Sequence, residues 1–61
     1  METEMIIGGK PFRVKYENGI VSLRPEGNIG WLTAQTEPIE GLDEAGIMEV
    51  ARQSARGLGL I

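Results

Sequence analysis

Cysteine and histidine are both missing from these 61 residues. Their joint absence removes disulfides, thiolate nucleophiles, imidazole general bases and the usual zinc ligands. Small secreted domains of this size generally lean on disulfides or a metal, so the expected location is cytoplasmic. The opening Met1-Glu2-Thr3-Glu4 is acidic and has neither the basic region nor the apolar run of a secretory leader. No apolar stretch approaches the roughly 20 residues that span a bilayer, so no membrane partner is expected. Aromatics are reduced to one each of Phe, Tyr and Trp.

Charge is present but segregated. The formal balance is −3. Lys10, Arg13, Lys15 and Arg24 stand near Glu17 in the first half. Glu26, Glu37, Glu40, Asp43, Glu44 and Glu49 follow with no basic residue among them. An acidic balance argues against a general nucleic-acid binder, whose affinity comes from neutralising phosphates.

The most informative stretch is Phe12 to Leu23. Phe12, Val14 and Tyr16 alternate with charged residues, Asn18-Gly19 follows, and Val21 and Leu23 resume the alternation. Asn-Gly is the strongest short hairpin signal, because a type I′ turn needs positive φ at both central residues. That turn sets Tyr16 opposite Val21 and Val14 opposite Leu23, giving one apolar face. Gly8-Gly9 makes a second turn of the same kind, with Met5 opposite Phe12, Glu4 opposite Arg13 and Glu2 opposite Lys15. Opposite charges then face each other across the ladder. Pro11 requires a position where a missing N–H is harmless.

Past Leu23, Pro25-Glu26-Gly27 suits a three-residue hairpin loop. Such a loop would set Leu23 opposite Ile29 and Val21 opposite Trp31. Residues 35–42 read as a loop broken by Pro38 and Gly41. Asp43 is a good N-cap, Leu42 and Ile47 fit a hydrophobic staple, and Gly57 fits the C′ position. Gly46 suggests close approach to the sheet. The expected fold is a single α+β domain over residues 1–61. It is a small four-stranded antiparallel β-meander, with at least three strands, and one C-terminal α-helix packed on one face. Strands are expected at about 2–7, 11–17, 20–24 and 29–34, and the helix at about 44–56. The expected core is Met5, Ile7, Phe12, Val14, Tyr16, Val21, Leu23, Ile29, Trp31, Ile47, Met48, Ala51, Ala55 and Leu58.

This arrangement leaves one sheet face uncovered, and the functional reading rests there. Ile20 and Leu32, with Ala34 nearby, would form an apolar patch beside an open edge strand. The first expectation is therefore a small non-catalytic interaction or accessory protein, self-associating as a homodimer or binding a protein partner. The alternative is a sheet-presenting DNA-binding module using Arg13, Lys15 and Arg24. Against it, Glu2 and Glu4 pair with two of those charges, and all three aromatics belong to the expected core. Arg24 opposite Arg13 has no explanation in either reading. Glu37, Glu40, Asp43 and Glu44 lack the tight oxygen spacing of a calcium loop. Ser22 and Ser54 have no activating base, and Gly8-Gly9 lacks the setting of a phosphate loop. No catalytic residue, metal, cofactor or small-molecule ligand is expected.

Ser22-Leu23-Arg24-Pro25, then Gly30-Trp31, then a helix, loosely resembles the MbtH-like proteins, small accessory partners of nonribosomal peptide synthetases. Arg24 stands where that family has Trp, the family's spacing from the proline to the Gly-Trp pair is longer, and its later Trp-Thr-Asp-x-Arg-Pro segment has no counterpart here.

Overall fold

Two tight turns fold the first half of the chain into a sheet. A computed structural model describes residues 1–61. Strands β1 (Glu2–Ile7), β2 (Lys10–Glu17) and β3 (Ile20–Pro25) form an antiparallel sheet in the order β1-β2-β3, and helix α1 (Glu44–Gly57) follows. Asn18 and Gly19 have φ of 53° and 79°, the left-handed pair that a type I′ turn demands. Gly8 and Gly9, at 58° and 77°, form the other turn. Both hairpins take the expected register, including Met5↔Phe12, Tyr16↔Val21 and Val14↔Leu23. Val21 and Leu23 bond outward, away from β2. The antiparallel alternation then turns Arg13 and Lys15 toward β3, and Pro11 with them. Pro11 lies beyond the last β3 partner, so its missing N–H leaves no gap.

The buried face carries Met5, Ile7, Phe12, Val14, Val21 and Leu23, and α1 lays Ile47, Ala51 and Ala55 across it. Val14, Val21 and Leu23 are fully buried, each contributing roughly 1.5–3 kcal/mol. Ala51 and Ala55 have no bulk to hold the helix off the sheet, and both are completely covered. Tyr16, Leu42, Val50 and Leu60 close the rim. Asp43 caps α1 as expected, its Oδ1 accepting from the Gly46 N–H at 2.8 Å. The close approach at Gly46 is to Leu42 and Asp43 rather than to the sheet.

At the other end the stop signal is Gly59, not Gly57. Gly59 has φ of 74°. Its N–H bonds the Arg56 carbonyl, and the Leu60 N–H bonds that of Ala55. These two bonds define a Schellman stop, which turns Leu60 onto the core. Ile61 then lies against Gly8, where an added Cβ would fall 2.8 Å from Ile61 Cγ2. The apolar tail thus ties the helix end to the β1–β2 turn.

The fourth strand, expected over residues 29–34, is reduced to one bridge, Leu23↔Leu32. The turn after Leu23 does close, with the Asn28 N–H on the Pro25 carbonyl at 3.0 Å. The chain does not enter the ladder there. Asn28 Nδ2 bonds the Gly30 carbonyl, and Ile29 is 97% exposed. Pairing begins three residues later than the hairpin loop implied. Three is odd, so every side chain in the segment changes face. Ile29 and Trp31 leave the expected core, while Leu32 moves to the side of Leu23. Met48 and Leu58, also expected inside, lie at the margin with 40% and 38% exposure.

Side chains from this segment finish the edge of β3. The Leu23 N–H and C=O exchange bonds with Leu32 at 2.7 Å each. Gln35 Oε1 accepts from the Val21 N–H at 2.6 Å, and Thr33 Oγ1 donates to the Val21 carbonyl at 2.8 Å. Gln35 Nε2 and the Ile39 N–H both donate to the Gly19 carbonyl at 2.9 Å. Tyr16 anchors the same loop through its hydroxyl, donating to the Ile39 carbonyl and accepting from the Leu42 N–H. Every outward-facing backbone group of β3 from Gly19 to Leu23 has a partner, so this edge is closed.

Candidate interaction surface

The sheet face opposite α1 has no covering layer, and strand alternation decides what it displays. β1 contributes Glu2, Glu4 and Ile6, β2 contributes Pro11, Arg13, Lys15 and Glu17, and β3 contributes Ile20, Arg24 and, between them, a buried Ser22. Onto this face the segment after β3 delivers Trp31. Lys15 Nζ lies 4.7 Å and Arg24 Cζ 5.0 Å from the indole centroid, within cation–π range. The ring is half-buried. One aromatic thus holds two cations on neighbouring strands at the centre of the open face.

The remaining cation is held differently. Arg13 Nη2 meets Glu2 Oε2 at 2.7 Å, a diagonal pair rather than the expected Glu4–Arg13 and Glu2–Lys15 pairs. The bond from Arg13 holds the Glu2 carboxyl below its ordinary pKa, with the nearby Arg24 and Lys15 charges adding to the effect. Arg24 directly opposite Arg13 now has its explanation: Glu2 engages one guanidinium and Trp31 the other. That unexplained like-charge pair was the one sign in the sequence that a further side chain would arrive here. An open depression beside this group is bordered by Glu4, Pro11, Arg13, Arg24, Asn28 and Ile29.

Arg13, Lys15 and Arg24 come together on this face, as the sequence implied. Ile20, Leu32 and Ala34 do not. Ile20 is on the open face, but the bridge to Leu23 puts Leu32 on the helix side, and Ala34 borders a depression with Val50, Gln53 and Ser54 of α1. The edge expected beside them is the closed edge of β3. Trp31, Gln35 and Thr33 carry roles that sequence reasoning missed. Glu37, Glu40, Asp43 and Glu44 are not gathered into a metal-holding group. No helix is long and apolar enough to cross a membrane. Compared with protein-family models, curated proteins and solved structures, the chain matches none of them.

Proposed function

We propose that this chain is a small non-catalytic interaction module, cytoplasmic in location, that associates with a second copy of itself through the uncovered sheet face. The observation that carries the reading is Trp31, displayed at the centre of that face instead of buried under the helix. Ile29, almost wholly in solvent, borders the depression beside Arg13 and Arg24, so a second large apolar group adjoins the face. Apart from Glu17 at the turn end of β2, the charges on the face are divided by strand, with Glu2 and Glu4 on β1 and Arg13, Lys15 and Arg24 on β2 and β3. A two-fold stacking of two such faces brings each acidic strip over the partner's basic one. The test is sedimentation across a concentration range, with Trp31 fluorescence read in parallel. Association should strengthen the Trp31 signal change with concentration and disappear in Trp31→Ala. A wild type that stays monomeric at high micromolar concentration rules the self-association out.

The second reading is nucleic-acid binding, and the same observation favours it. A ring available for base stacking, flanked by two cations for phosphate, is the pairing used by single-strand binders. Titration with single-stranded DNA separates the two readings. Phosphate contact makes affinity fall steeply as salt rises from about 50 to about 200 mM, whereas a protein-binding face shows no DNA titration at all.

A further inference from the structure

The two edges of the sheet are finished in opposite ways. β3 is closed by Leu32, Thr33, Gln35 and Ile39. β1 is bare. The Tyr16 N–H bonds the Met1 carbonyl, which turns the odd-numbered residues of β1 toward β2. The backbone N–H and C=O groups of Glu2, Glu4 and Ile6 therefore point outward, and nothing in the fold meets them. Behind this edge a groove runs between β1 and α1, bordered by Met5, Ile6, Met48, Glu2, Glu4 and Glu44. Of its apolar members Met5 is buried, while Ile6 and Met48 are open to solvent at 69% and 40%. Its charged side chains are all acidic.

We infer that β1 receives an added strand from a partner, an extended basic segment alternating cationic and apolar side chains. Backbone bonds to Glu2, Glu4 and Ile6 would supply affinity, as in other strand additions. The alternation follows from the pleat. Residues of the added strand opposite Glu2 and Glu4 lie on the open face, where the Glu4 carboxylate has no ion pair and that of Glu2 is shared with Arg13, so Lys or Arg belongs there, above all opposite Glu4. The residues between them face the groove and meet Met5 and Met48, so they are apolar. A second copy of this chain is a poor occupant, because the registers that pair most of its β1 set glutamate opposite glutamate. The edge is closed to self and open to a basic strand. The added strand shares Glu2 and Glu4 with the open face, but its backbone bonds to β1 need neither Trp31 nor the basic strip, so either proposal can fail without the other.

The experiment is an amide-resolved NMR titration of the full chain with a capped octapeptide alternating lysine and valine. A control peptide carries N-methyl groups at the residues that would bond β1. The expected result is protection of the Glu4 and Ile6 amides from exchange by about tenfold or more, with binding at least about tenfold weaker for the methylated peptide. Ile6→Pro should weaken binding similarly while leaving the β1–β2 ladder intact, since the Ile6 N–H is not part of it. Glu4→Lys should reverse the preference toward an alternating glutamate–valine peptide. Equal binding of the methylated peptide, protection elsewhere on the chain, or no response at millimolar peptide would overturn the inference. Self-association through the other face is read in the same spectra from the Trp31 indole as protein concentration alone is varied.

Discussion

Gln35→Ala should be among the most costly substitutions at any residue outside the core. The Gln35 amide accepts from the Val21 N–H at 2.6 Å and donates to the Gly19 and Glu37 carbonyls at 2.9 Å each. Val21 is completely buried, so its N–H has no ready route to water once the amide is gone. Leaving one buried donor unmet costs about 1–3 kcal/mol, and each lost bond that water can replace costs a few tenths to about 1 kcal/mol more. The sum is about 2–5 kcal/mol. A 61-residue domain has a total stability of roughly 3–9 kcal/mol, so the variant should lose at least about a fifth of it. Urea unfolding reads the total, and exchange of the Val21 amide reads the site. Gln35→Glu refines the test, because it keeps the acceptor for Val21 but sets a carboxylate against two carbonyls. It should protect the Val21 amide and still destabilise the fold. A Gln35→Ala variant within about 0.5 kcal/mol of wild type, with unchanged exchange at Val21, would refute the closure of the β3 edge.

Gly19→Val should cost at least about 3 kcal/mol, combining positive φ with crowding; a Cβ there would fall 2.7 Å from Pro38 Cβ and 3.0 Å from the Ile39 nitrogen. An unchanged melting temperature would remove the hairpin on which the register rests. Met48→Asp should cost no more than about 1 kcal/mol at its exposed position, while Ile47→Asp, 4% exposed, should cost about 3 kcal/mol or more. Equal effects in thermal melts would mean the helix is rotated. The Glu2–Arg13 bond lowers the folded-state pKa of Glu2, so its contribution is present above the ordinary glutamate pKa and is lost as pH falls through the depressed value. Carboxyl-detected NMR should show the Glu2 pKa rising in Arg13→Ala, and no change there would break the link.

The two hairpins were legible because their turns carry their own chemistry. Asn18-Gly19 and Gly8-Gly9 each fix a register locally, and the alternation of Phe12, Val14, Tyr16, Val21 and Leu23 agrees with it. The helix start was legible for the same reason, through Asp43. The segment after Pro25 lacked such a constraint. Ile29 and Trp31 share one parity and Leu32 and Ala34 the other, so the apolar pattern fits either face. What selects the observed one is tertiary. Thr33 and Gln35 supply side-chain bonds that satisfy Val21 and Gly19, and Trp31 covers the Arg24 that would otherwise face Arg13 unshielded. The helix stop was off by two residues, since two glycines competed and only Gly59 turns Leu60 onto the core. The candidate surface inherited both outcomes. Its basic strip followed from the hairpins, while its aromatic centre depended on the segment that local rules left undetermined.

Everything proposed for the open face depends on the side of the sheet that Trp31 occupies. Nuclear Overhauser contacts from its indole protons test this directly, because the fold has only one tryptophan. The account predicts contacts to the side-chain methylenes of Lys15 and Arg24, with those methylenes shifted upfield by the ring. Contacts from the indole to Val21 and Ala51 would put Trp31 under the helix and contradict it.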